Sequence, residues 1–203
     1  MVKSELFSFL IVLLLSISCS SQAAPAKSYS SIGNPEYPKG VNIPSSFTLP
    51  DGIVFKFVLY TGGIANYICD TASGQWIEDV FRNIYFNHKE DLNEYPFSAV
   101  AYVDFKGNDI LLRSAIPSDT SVANVTVLGS SPSSNPANYH DEILSVENTA
   151  GKGAFSDITH VILTDWIGGA APATNLCGTD YPNGYVYASK FTTTLLFYHH
   201  GTK

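Results

Sequence analysis

The chain reads as an all-β protein, a single-domain antiparallel sandwich or barrel with at most one short helix. Three observations carry that expectation. Short runs of Val, Ile, Thr, Phe and Tyr alternate with clusters of Gly, Pro, Asn and Asp, the pattern of strands and turns. Charged residues make up only 14% of the 203 while aromatics reach 13%, a balance that favours strands over helices. The chain also closes on residues 185–198, where Val186, Tyr187, Phe191, Thr192, Thr193, Thr194 and Phe197 compose a core strand.

The first element is not part of that fold. Residues 7–17 are apolar except Ser8 and Ser16, follow a start carrying Lys3, and end in Cys19-Ser20-Ser21-Gln22. Signal peptidase accepts small residues one and three positions before its cut, and Ser21-Gln22-Ala23 meets that rule, so residues 1–23 are expected to be a removable signal peptide. The apolar run is too short for a membrane anchor, which needs roughly 20 residues. Cys19 lacks the Leu three positions upstream that lipid attachment wants, because Ser16 stands there, so it goes with the leader. Residues 24–48 are rich in Ser, Pro, Gly and Asn without a sustained period, an extended or flexible lead-in. Residues 49–203 form the β-rich domain, a one-domain length.

Within it, Asp51-Gly52 opens a strand at residues 53–60, Gly62-Gly63 breaks it, and residues 65–69 resume as the second arm of a hairpin. Residues 75–85 fit a short helix or a strand followed by a turn. Residues 87–93 are polar and read as a surface loop. Residues 97–105 and 110–112 flank the turn Lys106-Gly107-Asn108-Asp109, a second hairpin. A strand at 122–128 precedes the run 129–136, which is too polar for any core. Residues 158–165 are a strand, and Gly168-Gly169-Ala170-Ala171-Pro172 an irregular turn.

Composition excludes several functions. A net charge of −7 without a basic stripe argues against nucleic acid and against an anionic membrane surface. Removal of the leader leaves Cys69 and Cys177, and in an oxidising compartment an even count reads as a disulfide. A bridge closing so long a loop contributes on the order of 4 kcal/mol if unstrained. The alternative, a nucleophilic cysteine, requires a His partner and protection from oxidation.

Gly62-Gly63-Ile64-Ala65-Asn66-Tyr67-Ile68-Cys69 followed by Trp76 resembles the opening motif of the domain-of-unknown-function family 3455, secreted proteins of bacteria and fungi. Thr164-Asp165-Trp166-Ile167-Gly168-Gly169-Ala170-Ala171-Pro172, then Cys177 and a strand ending Phe197-Tyr198, resembles its closing segment. The likeness spans residues 49–198. The middle departs from the family's His-aromatic pair ahead of a Trp, although His88 and Phe105 stand nearby. The resemblance implies a secreted, disulfide-capable domain with no established activity. The dehydrogenase label some members carry does not fit, because no Gly-x-Gly-x-x-Gly opens a helix here.

Candidate chemistry is sparse. His140-Asp141-Glu142 puts an imidazole beside two carboxylates and could act as a general base or bind a metal. His199 and His200 adjoin, so on a strand they face opposite ways, near a terminus where chains fray. No Gly-x-Ser-x-Gly occurs. Glu78, Asp79, Glu90, Asp91, Glu94 and Asp104 could supply a glycosidase pair, yet each reads as a solvated surface charge. Trp76, Trp166, Tyr60, Tyr67 and Tyr102 could form a flat platform that stacks on sugars, or be core. Asn124-Val125-Thr126 is a glycosylation sequon in a eukaryotic host, usable if Asn124 points outward. No cofactor, metal or transmembrane anchor is expected. The function that follows is a secreted, non-enzymatic binder of cell-wall polysaccharide or another surface ligand. The alternatives are an extracellular hydrolase using His140, Asp141 or Glu142, and a structural wall component or secreted effector.

Overall fold

A computed structural model describes residues 29–94, 98–106 and 109–201. The expected leader at residues 1–23, with Cys19, lies outside the described residues, as do Phe97 and the turn residues Gly107 and Asn108. Eight strands follow one another: β1 (Ile53–Asp70), β2 (Gln75–Phe86), β3 (Ala101–Lys106), β4 (Asp109–Ser114), β5 (Val122–Ser131), β6 (Asp141–Ala150), β7 (Ile158–Gly168) and β8 (Val186–His200). Each pairs antiparallel with the next, and β8 returns to β1, closing a barrel. Closure is thinnest between β2 and β3, which meet at Ile84↔Tyr102 and Tyr85↔Ala101. The described residues contain no α-helix, only two 3-10 turns at Lys89–Glu94 and Thr174–Leu176. No helix among them is long and apolar enough to cross a membrane.

Alternation decides what fills the lumen. Phe57, Leu59, Ala65, Tyr67 and Cys69 of β1 point inward with Phe191, Leu195 and Phe197 of β8. One end is plugged by rings: Phe57 stacks on Phe197 at 4.7 Å between centroids, and Phe155 meets Phe197 at 5.6 Å. Phe155 comes from the β6–β7 loop and is fully buried. The Asp119 carboxylate holds that loop by accepting from the Ala154 N–H (2.9 Å), while Ser121 Oγ accepts from the Phe155 N–H (3.0 Å). Burying such a ring contributes about 1.5–3 kcal/mol.

The described part of the lead-in, residues 29–48, makes no long strand but lies against the barrel. Asn34 and Val58 exchange two backbone hydrogen bonds. Val41, Ile43, Phe47 and Leu49 cover Val58, Ile143, Ile162 and Leu196 on the outer face. This apolar coat explains why β1 and β8 are apolar on both sides.

The element boundaries differ from the sequence reading at several points. β1 runs unbroken through Gly62-Gly63, giving one long strand where a hairpin was expected. Gly62 and Gly63 pair with Ile84 and Asn83 of β2 on one side and with Thr192 and Phe191 of β8 on the other. Residues 75–85 are strand, not helix. The expected surface loop at 87–93 contains buried Asn87 and Asp91. Asn87 accepts from the Gly33 N–H and donates to the Ser31 carbonyl, and Asp91 accepts from Tyr29 Oη at 2.6 Å. β6 went unread, because its Glu, Asn and Ser positions hide a strand. His199 and His200 are paired in β8 against Val54 and Ile53 rather than frayed.

Candidate functional site

The opposite end of the barrel is not plugged. There a cavity of about 170 Å³ opens, walled by Phe81, Leu112, Val125, Leu144 and Leu195, with Phe105 and Val127 half exposed on its rim. Polar groups gather at its mouth. Tyr139 Oη donates to Glu78 Oε2 at 2.9 Å, the Tyr139 ring stacks on His140 at 3.9 Å, and His140 Nε2 lies 3.1 Å from Glu142 Oε1.

Two β-bulges build this constellation. Along β2 the register runs Ala65↔Phe81 and then Tyr67↔Glu78, so Asp79 is an extra residue. A bulge shifts which side chains face inward, and Glu78 thereby falls on the same face as Tyr67 and Trp76, exposed at the rim. Along β7, Thr164 pairs with Thr194 and Ile167 with Thr192, so Asp165 and Trp166 together oppose Thr193. Asp165 takes φ 57°, a left-handed conformation that costs a non-glycine residue of order 1–3 kcal/mol. Val161 and Leu163 point inward, and without the bulge Trp166 would point outward; instead it is 5% exposed and packs on Phe191 at 5.1 Å.

The β7–β8 loop frames the mouth. Cys69 and Cys177 are disulfide-bonded across 108 residues with Cα atoms 5.4 Å apart, tying that loop to the end of β1. Such a bond marks an oxidising environment. Tyr67 Oη donates to the Gly169 carbonyl at 2.6 Å and Trp76 Nε1 to the Ala173 carbonyl at 3.2 Å. Gly168 has φ 76°, and a Cβ there would lie 2.3 Å from the Lys190 carbonyl oxygen, so only glycine lets β7 turn so close to β8.

Burial and mutual proximity set the electrostatics. Desolvation raises the Glu78 carboxyl above its usual range, against the hydrogen bond from Tyr139. The hydrogen bond to Glu142 raises His140, overcoming its partial burial. Desolvation pushes up the phenols of Tyr139 and Tyr67, with Glu142 and Glu78 adding to the first and Glu78 to the second. Two buried polar atoms of lining residues lack a hydrogen-bond partner, Trp166 Nε1 and Asn83 Oδ1.

Not every expected site residue lies at the mouth. His140 and Glu142 do, but alternation along β6 sends Asp141 outward. Asp141 lines a separate groove of about 400 Å³ with Asn42, Ser131, Ser133, Asn138 and Asp165, and desolvation raises its carboxyl. Trp76, Trp166 and Tyr67 are 9%, 5% and 4% exposed, whereas Tyr102 is 38% exposed. The flat exterior platform of these aromatics is therefore corrected to interior rings, with Tyr102 outside them and Tyr60 packed beside the lead-in. Asn124 is 9% exposed and its Nδ2 donates to Asp109 Oδ1 at 3.4 Å, so the nitrogen a glycan would occupy is covered. Glu78, expected as a solvated charge, is exposed and stands at the mouth of the cavity. Its spacing from Trp76 carries the signal, since residues two apart on a strand share a face. Tyr139 and Asn83 were missed, because nothing local in the sequence marks either. Among the described residues no three His, Cys, Asp or Glu side chains gather to hold a metal.

In comparisons with known proteins, no family model, no curated protein and no solved structure matches this chain.

Proposed function

We propose that the chain is an exported binding protein that holds a small ligand in the open end of its barrel. The observation that carries this reading is an apolar-walled cavity whose lining includes two buried, unpartnered polar atoms, Trp166 Nε1 and Asn83 Oδ1. Buried polar groups are normally satisfied, and ligand pockets combine apolar walls with a few convergent polar groups. Eight-stranded barrels are wide enough to hold one small ligand. The disulfide and the signal-like leader both support export. Binding, rather than catalysis, suits a mouth whose carboxylates are already engaged by Tyr139 and His140.

The test is a fluorescence titration of the Trp76→Phe variant, in which Trp166 is the remaining indole. Indole-free ring compounds such as phenol should quench it saturably and raise the melting temperature. A flat response across a panel of small ring compounds overturns the reading. Export is checked separately by sequencing the secreted protein's N-terminus, which should begin at Ala24.

A second reading, binding of wall polysaccharide, is supported by the polar groove that Asp141 lines, whose hydroxyl, amide and carboxylate groups match sugar hydroxyls. It predicts retention on an insoluble glycan that Asp141→Ala weakens.

A further inference from the structure

We propose that the cavity selects a compact, single-ring molecule carrying a protonated amine. The inference rests on the cavity being a ligand site and adds the ligand's chemical class. Size limits the body: an apolar cavity of about 150 Å³ takes one benzene ring, and this one measures about 170 Å³. A longer chain finds no path, because Phe57, Phe155 and Phe197 fill the far end of the lumen. The walls supply ring faces and edges from Phe81, Tyr139 and Trp166, mutually 4.9 to 6.3 Å apart.

Charge decides the head group. Glu78 and Glu142 line the cavity, and no Lys or Arg stands among its described lining residues. The nearby imidazole, His140, is already bonded to Glu142. A carboxylate ligand would therefore enter beside two acidic side chains whose neighbouring imidazole is already committed to Glu142, which is costly in a half-buried site. A protonated amine instead meets two carboxylates that retain acceptor capacity, with aromatic faces able to stabilise a cation. Glu78 is held toward its neutral form by desolvation, and an adjacent cation would return it to the carboxylate. Trp166 Nε1 remains a donor, directed to a ring oxygen or a water carried in with the ligand.

The experiment compares phenylethylamine, phenylethanol and phenylacetate, which share a ring and differ in charge, by calorimetric titration at neutral pH. The amine should bind about tenfold more tightly than the alcohol, the gain expected of one hydrogen bond to a charged group, and phenylacetate weakest. In Glu142→Gln, and further in Glu78→Gln/Glu142→Gln, the amine's advantage should fall to within about threefold while the alcohol's affinity holds. Binding of the alcohol or the acid as tightly as the amine overturns this inference and leaves the cavity reading standing. An amine preference that survives both substitutions also overturns it. Failure of all three to bind overturns the cavity reading itself.

Discussion

At one end of the barrel Phe57, Phe155 and Phe197 fill the lumen, each at most 4% exposed. At the other end Glu78, Tyr139, Glu142 and Trp166 surround empty space. The same eight strands supply both ends, so the difference arises from what each adds to regular alternation. The closed end adds a loop whose backbone donors are satisfied by Asp119 and Ser121, and it commits an aromatic ring to the core. Register shifts occur at both ends, but those in β2 and β7 at the open end bring a carboxylate to the mouth and turn an indole inward, beside a disulfide-tied loop. Stability is concentrated where alternation and packing agree. Among the described residues two unpartnered buried polar atoms, Trp166 Nε1 and Asn83 Oδ1, line the open end, and a third, Ser98 Oγ, lies outside it.

The contrast is open to attack from both ends. Phe155→Ala removes a fully buried ring and should lower unfolding free energy by roughly 4–5 kcal/mol, read by denaturant melts, while leaving ligand titrations of the folded fraction unchanged. Replacing Cys69 and Cys177 by Ser should cost about 4 kcal/mol through the freed unfolded chain. It should also weaken ligand binding, because the β7–β8 loop frames the mouth. Gly168→Ala forces a Cβ against the Lys190 carbonyl in a left-handed backbone and should cost about 2 kcal/mol, measured by the melting temperature.

The pH response separates the two ends further. Glu78 and His140 have folded pKa values above their ordinary 4.5 and 6.5. A raised pKa means the folded state holds the proton more tightly, so this stabilisation is complete below the ordinary value and lost as pH rises through the raised one. Near the closed end, burial alone would raise Asp157, but Lys56 and His199 outweigh it and hold the carboxyl below its ordinary 3.8. That contribution is present above 3.8 and disappears as pH falls through the lowered value. The melting temperature should therefore decline from mildly acidic to alkaline pH, and Glu78→Gln should flatten the part of the slope starting at 4.5. The smallest effect is on stability itself. Glu78→Gln at neutral pH should change it by less than about 1 kcal/mol in either direction, since it removes a desolvation cost along with a hydrogen bond.

Much of the fold was legible. Strand-forming composition, turn dipeptides and the aromatic closing strand indicated an all-β domain, and the even cysteine count indicated the pair that is bonded. The site was legible only in pieces. His140 and Glu142 stood out as a titratable cluster, but their alternation separates them from Asp141 only once a strand is recognised there, and the polar β6 concealed it. Trp166 and Glu78 depend on bulges, each created by one extra residue whose backbone conformation no side-chain pattern announces. Asp165, held at a positive φ without being glycine, shows why: the strain is imposed by the pairing of β7 with β8, a long-range constraint. Likewise Gly62-Gly63 looked like a turn because the β8 residues that pair with them, Thr192 and Phe191, are distant in sequence.

The most direct test of the open end as a ligand site uses the two indoles, which differ in the feature at issue. Trp76 Nε1 donates to the Ala173 carbonyl, whereas Trp166 Nε1 has no partner. In nitrogen-labelled protein titrated with phenylethylamine, the Trp166 indole N–H resonance should move saturably while that of Trp76 and the amide of Phe155 stay in place. A Trp166 resonance that does not move, or one that shifts no more than the Phe155 amide, would contradict the account.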